Sequence, residues 1–170
     1  RMERTGVVST ETAQALGVVG MAARSSGVDI DTRFDFNDKW YTSLDVVKPF
    51  KATGDVHSRF KLRYKEIKQS MQIVKKLLDK LKEFRNEQIL TNPNKTLAPN
   101  AFAISMTEGW RGEIVHIALT GANGELLRYK MKDPSFNNWY MLAMAVRNNG
   151  VSDFPLCNKS FNLSYCGNDL

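Results

Sequence analysis

Residues 56–84 read VHSRFKLRYKEIKQSMQIVKKLLDKLKEF, and this stretch decides the architecture. Val56, Phe60, Tyr64, Ile67, Met71, Val74, Leu78 and Leu81 follow one another at steps of three or four, the spacing of one helix face. Asp55, after Gly54, supplies a cap for the free N–H groups of the first turn. At ~1.5 Å per residue such a helix runs ~40 Å, and its apolar stripe is expected to pack in the core. Lys61, Lys65, Lys68, Lys75, Lys76, Lys80 and Lys82 cover the other faces. A DNA-reading helix carries similar lysines, but a solvated face explains them, and no helix-turn-helix or zinc-finger pattern flanks them.

Working outward, Ser9-Thr10-Glu11 opens a short helix that stops near Gly17, and a second runs from Val18 to about Arg24, with Gly27 as its exit. Residues 34–51 are aromatic and irregular, broken by Pro49, and read as a loop packed by Phe34, Phe36, Trp40 and Tyr41. On the other side, Asn86 to Asn100 carries Pro93 and Pro99 and reads as a linker. A β-hairpin follows: Val115, Ile117 and Leu119 alternate, then Leu127, Tyr129 and Met131, around a Gly121-Ala122-Asn123-Gly124 turn. Asp133-Pro134-Ser135 starts a helix expected to turn Phe136, Trp139, Tyr140, Ala143 and Val146 inward. A last short helix begins at Ser152-Asp153, before an aperiodic tail. The expected class is α+β: mainly helical, with one long helix and a small antiparallel β-hairpin. It forms one domain, 1–170, divided into short helices and aromatic loop (1–52), long helix (53–85), linker (86–107), hairpin (108–132) and C-terminal helices with tail (133–170).

Composition narrows the class. The 170 residues are 42% hydrophobic and 25% charged, which excludes disordered and collagen-like chains. The net charge of +6 suits an anionic partner without choosing one. No apolar run approaches the ~20 residues that cross a bilayer. The polar opening, Arg1-Met2-Glu3-Arg4, has no signal-peptide character and reads as the inside of a longer protein. Cys157 and Cys166 read as two buried thiols in a reducing compartment. There is no Walker A loop, no G-x-G-x-x-G and no C-x-x-C, and the two histidines, His57 and His116, lie far apart. Composition and periodicity alone reach only a soluble helical domain.

Particular motifs go further. Glu108-Gly109-Trp110-Arg111-Gly112-Glu113, followed by His116, resembles the E-x-x-R-G…H segment of nickel–iron hydrogenase large subunits. It also resembles the E-x-x-R-G-E of the D-type subunit of complex I, the NADH-quinone oxidoreductase. Arg24-Ser25-Ser26-Gly27 with Asp31 and Arg33 is similar to the R-A-S-G…D-x-R of that D-type subunit. Gly54-Asp55, Arg59, Arg63, Glu66 and Ser70 match the start of that family's long helix, and Asp133-Pro134-Ser135-Phe136 its hairpin exit. Each motif is weak by itself; their common order along the chain is specific. The wording of the tail looks closest to hydrogenase-4-like or hydrogenase-related large chains.

The resemblance implies a C-terminal part of a large subunit, with Arg111 at the rim of the family's cavity, where a planar, permanently charged donor polarises a small substrate. Glu108 and His116 join Arg111 as catalytic candidates, and Arg24, Asp153, Ser164 and Asp169 as cavity-lining, quinone-facing ones. A plainer reading has Arg111 begin a strand and pair with Glu108 or Glu113. In the hydrogenases a tail C-x-x-C binds nickel and iron. Here Ser164 and Gly167 fall at the two cysteine positions, Cys166 is one residue out of register, and Cys157 lies upstream. Serine is a poor substitute for a thiolate, so nickel is not expected and the segment binds no cofactor itself. The implied role is scaffold and cavity wall for electron transfer from iron–sulfur clusters to quinone, as in an NADH:quinone oxidoreductase, with NAD bound elsewhere in the complex. The implied partners are an iron–sulfur subunit, membrane subunits and quinone, not nucleic acid, at the cytoplasmic face of a membrane. The alternatives are a group 4 energy-converting hydrogenase chain with degenerate ligands, and a basic, non-enzymatic interaction module. A chain cut from such an assembly is expected to expose apolar surface, with Phe34, Phe36, Trp40, Phe154, Phe161 and Tyr165 as candidates.

Overall fold

Short polar side chains start most of the helices, because an N-cap oxygen satisfies an N–H that has no partner in the first turn. The computed structural model describes residues 1–36, 41, 43–84 and 96–166. Ser9 accepts from the Thr12 N–H to begin α1 (Thr10–Ala15), and Asp31 accepts from Arg33 to begin α3 (Thr32–Asp35). Between them, α2 (Gly20–Ser25) is buried along its whole length. Asp55 accepts from the Ser58 N–H at 2.8 Å and starts α4 (Val56–Leu81), which ends in a 3-10 turn over Lys82–Phe84. Three strands follow, β1 (Phe102–Gly109), β2 (Gly112–Thr120) and β3 (Leu126–Lys132), in an antiparallel sheet of order β1-β2-β3. Asp133 accepts from the Ser135 N–H at 2.7 Å and opens α5 (Pro134–Ala145). A 3-10 turn over Val151–Asp153 leads into α6 (Phe154–Phe161), which stops at left-handed Asn162. The class is therefore α+β, with one long helix and a three-stranded sheet. Among the described residues no helix is long and apolar enough to cross a membrane.

The core lies where α2, α5, α6 and the first turns of α4 meet, around Val18, Ala22, Val56, Met141, Cys157 and Phe161. Two glycines set close approaches. Gly54, at φ +64°, leaves no room for a Cβ beside the Val8 carbonyl, and Gly20, at φ +65°, rests on the backbone of Gly112. The second contact brings the start of α2 against the β1–β2 turn.

Apart from Val56, the apolar stripe of α4 does not pack in the core of this chain. Phe60, Tyr64, Ile67, Val74, Leu78 and Leu81 are exposed, and Met71 is 69% exposed. The face turned to the body is out of phase with it: Val56, Arg59 and Leu62 are buried, and Arg63 and Glu66 half-buried. Charged side chains stand on the inward face, where apolar ones were expected.

Other expectations shift too. β1 lies partly in the stretch read as linker, where Phe102, Ile104 and Met106 alternate. On α5 the inward residues are Ser135, Asn138, Met141, Leu142 and Ala145, while Phe136 and Tyr140 are exposed. Phe36, Phe154 and Tyr165 are exposed, Phe34 is half-buried and Phe161 is buried. Trp40, Gly167 and Asp169 lie outside the described residues.

Candidate functional site: two arginine centres joined by the long helix

Arg24 is 1% exposed and draws four elements together. Its Nη1 donates to Glu108 Oε1 of β1 and to the Ile30 carbonyl, both at 2.9 Å, and lies 3.2 Å from Asp31 Oδ2. Its Nη2 donates to Glu66 Oε1 of α4 at 2.5 Å. Arg33 holds Asp31 with a bidentate fork, Nε to Oδ1 at 2.9 Å and Nη2 to Oδ2 at 2.6 Å. The Thr32 N–H and hydroxyl both donate to Glu108 Oε2 at 3.2 Å. Burial pushes the Glu108 carboxyl above its usual range, and Arg24 offsets this only in part. Burial also works against the Asp31 carboxylate, but hydrogen bonds from Arg33 and the charge of Arg24 outweigh it and hold Asp31 below its usual range. A cavity of about 180 Å³ opens beside the cluster, lined by Arg24, Arg33, Glu66, Ser70, Glu108, Gly109 and Trp110.

The second centre holds the tail. Arg59 is fully buried and donates to Ser160 Oγ (2.8 Å), the Gly54 carbonyl (2.7 Å) and the Gly6 carbonyl (2.9 Å), with its guanidinium 4.2 Å from the Phe161 ring centroid. Burial lowers its pKa to about 10. Arg63 donates to the carbonyls of Ser160 (2.7 Å) and Phe161 (3.2 Å) and lies over the Trp110 ring. Arg111 Nε donates to the Asn162 carbonyl. Arg63 and Arg111 thus take up three successive carbonyls at the C-terminus of α6, where the helix dipole also favours cations. Asn138 fixes the Arg111 backbone: its Nδ2 donates to the Arg111 carbonyl at 3.1 Å, and its Oδ1 accepts from the Val19 N–H at 3.0 Å. Ser164 N donates to Ser135 Oγ at 3.0 Å, and its carbonyl accepts from Trp139 Nε1 at 3.3 Å.

The candidates from sequence therefore separate. Arg24 and Glu108 meet in the first centre; Arg111 and Ser164 lie along the tail. Arg111 does not bridge to Glu108, which is held by Arg24, or to Glu113, which faces Lys132 Nζ at 3.5 Å. Glu108 sits opposite Glu113 in the β1–β2 register, so His116, three residues further along β2, projects from the other sheet face, where its ring meets the Tyr129 hydroxyl. Asp153 pairs with Arg1 at 3.2 Å. Sequence reasoning did not name Asp31, Arg33, Glu66, Arg59, Arg63 or Asn138 as site residues. All but Asn138 belong to the family-like motifs, and that was the available signal.

The described donors do not fit nickel. Cys157 is buried, with its sulfur packed on Gly6, Cys166 is exposed, and Ser164 stands where a thiolate is required. Among the described residues no group of three or more His, Cys, Asp or Glu is placed to hold a metal ion.

Fold and buried charge together define an α+β domain organised around two buried arginine centres. The whole chain superposes on 47% of a chain in the structure of the membrane-bound sulfane sulfur reductase (MBS), an archaeal respiratory membrane complex, with a TM-score of 0.84 and 23% identity, which establishes the fold. Residues 1–101 match the family model for the respiratory-chain NADH dehydrogenase, 49 Kd subunit, and the chain belongs to that family. The D-type subunit of the NADH-quinone oxidoreductase of Syntrophobacter fumaroxidans is 28% identical over 155 residues, 90% of this chain and 41% of the relative. Hydrogenase-4 component G of Escherichia coli is 31% identical over 161 residues, 91% of this chain and 28% of the relative. The chain spans less than half the length of these relatives.

Proposed function

We propose that this chain serves in the large subunit of a membrane-attached redox complex, as scaffold and cavity wall for electron transfer from iron–sulfur clusters to quinone. The observation that carries this reading is the outer face of α4. Eight large apolar side chains from Phe60 to Leu81, all on the outward stripe or beside it, stand 40–69% exposed. Water-exposed apolar surface of that extent is normally covered by a partner. The family supplies the setting, since its named relatives are subunits of quinone oxidoreductases and hydrogenases. Arg111, the counterpart of the family's cavity arginine by resemblance, is the residue proposed to meet an acceptor, with its Nε anchored on the Asn162 carbonyl. NADH, where it is the donor, is oxidised by another subunit, and the complex sits on the cytoplasmic face of the membrane. Ser164 in place of a thiolate weighs against the hydrogenase alternative. Affinity purification of the tagged protein from native membranes tests the reading. Co-purification with an iron–sulfur subunit and quinone-dependent turnover support it; recovery of the protein alone, with no redox partner, refutes it.

A further inference from the structure

The cavity beside Arg24 has a graded wall. Its floor is Arg24 and Glu108, whose side chains are 2% and 4% exposed. Arg33 and Glu66 form the sides, and exposed Ser70 and Trp110 form the mouth. Arg24 Nε–H is buried and has no acceptor among the described protein atoms. A buried N–H without a partner is costly, and Arg24 lines the cavity, so a water held there would supply an acceptor. The ion pairs of the lining already offset one another, which disfavours a charged occupant and favours water. Liquid water takes about 30 Å³ per molecule, so the space holds several.

Glu108 has hydrogen-bond partners for either protonation state. As a carboxylate it accepts from Arg24 Nη1 on one oxygen and from the Thr32 hydroxyl and N–H on the other. As an acid it keeps the Arg24 bond, while the Thr32 hydroxyl rotates from donor to acceptor for the new O–H. The groups facing it are Arg24 from α2, Asp31 at the cap of α3, Thr32 and Arg33 on α3, and Glu66 on α4. Across the strand pair lies Glu113 of β2, held by Lys132. Two guanidiniums, Arg24 and Arg33, thus serve three carboxylates, with Arg63 adding charge near Glu66. With one carboxylate in excess, the cluster has room for one added proton.

We propose that this cavity is a hydrated proton-exchange site, in which Glu108 takes up and releases one proton through water held between Arg24 Nε, Glu66 and Ser70. For release the Glu108 O–H turns from the Thr32 hydroxyl to a water in the cavity that Glu108 lines, and that water takes the proton while another is released to solvent at the mouth. Glu108 is left as the carboxylate facing Arg24. No electron moves and no electron carrier is needed, so the site stands apart from the redox role.

Carbon-13 NMR of the full chain, labelled at glutamate Cδ, tests the titration, and infrared spectroscopy on mixing with D2O tests water access. The expected result is one glutamate that protonates above the usual range, with a protonated-carboxyl band that shifts within the mixing time. Both signals are lost in Glu108→Gln. Ser70→Trp, an exposed change that plugs the mouth, keeps the carboxyl and slows the shift, and it serves where Glu108→Gln fails to fold. A Glu108 that stays ionised down to ~4.3, the ordinary glutamate value, overturns the proposal, as does isotope exchange unaltered by Ser70→Trp.

Discussion

Replacing Arg24 by Met isolates the contribution of the buried charge cluster. Methionine fills much of the same volume and cannot pair. Asp31 keeps its fork from Arg33, so the loss falls on Glu108 and Glu66, whose side chains are 4% and 12% exposed. Removing one partner of a buried ion pair costs roughly 3–5 kcal/mol, chiefly because the remaining charge is left uncompensated. With a urea slope of ~2 kcal/mol/M for a domain of this size, the unfolding midpoint falls by about 2 M. Urea unfolding followed by tryptophan fluorescence reads this directly, since Trp110 lines the cavity. The deficit should also depend on pH. In the parent chain Glu108 sits above its unfolded value, so its contribution is full in acid and is lost as pH rises through the folded value. Asp31 sits below its unfolded value and contributes in the opposite sense, losing stability as pH falls through the folded value. Without Arg24 the Glu108 carboxyl rises further and protonates more readily, so the gap between variant and parent narrows as pH falls from 7 towards ~5. Adding Glu108→Gln to Arg24→Met should restore part of the loss, because the uncompensated charge is gone. A loss under ~1 kcal/mol, or a gap unchanged between neutral and acid pH, would refute the reasoning.

Met71→Asp should change the stability of the chain alone by less than ~0.5 kcal/mol, since Met71 is exposed, yet weaken assembly with whatever covers α4; equal thermal unfolding but intact assembly would remove the docking role of that face. Gly20→Ala should cost about 3 kcal/mol, because its Cβ would lie 2.2 Å from the Gly112 Cα in a left-handed backbone; near-parent unfolding would show that the β1–β2 turn yields freely. Anaerobically purified protein should carry no nickel, and elemental analysis giving about one nickel per chain would sink that expectation. In the assembled complex Arg111→Lys should lower turnover more than assembly, because lysine keeps the charge but not the planar fork; equal losses would make Arg111 a purely structural clamp.

How much of this was legible before any coordinates depended on whether the signal was local. Capping residues Ser9, Asp55 and Asp133 each mark a helix start that the structure contains, because a cap acts within three residues. The hairpin of β2 and β3 was visible for the same reason, whereas β1 was hidden by the Pro- and Asn-rich stretch before it. The phase of α4 was misjudged because apolar spacing reports which face is greasy, not which face the body of this chain covers. Arg59 points inward because Gly54, Ser160 and Phe161 offer a carbonyl, a hydroxyl and a ring there, and the last two lie about a hundred residues away. The motif residues Arg24, Asp31, Arg33, Glu66, Ser70 and Glu108 were all picked out by resemblance, but their convergence is a property of the fold.

The two faces of α4 divide its work. On the inner face, Arg59 and Arg63 hold the end of α6, and Glu66, one turn further, takes Arg24. Trp110 joins the two centres, since Arg63 lies over its ring while the residue itself lines the Arg24 cavity. The charge of Glu66 is felt by Arg63, which burial and Arg111 otherwise disfavour. A change in the charge of Glu66 must therefore reach the tail through Arg63 as well as the cavity through Arg24. On the outer face the apolar side chains from Tyr64 to Leu81 are exposed, and a substitution there is expected to act chiefly on whatever covers them. One helix thus holds buried charge along its inner side and exposes an apolar stripe along its outer side. This is why a stretch that reads as a single amphipathic stripe carries a second, charged stripe a fraction of a turn away.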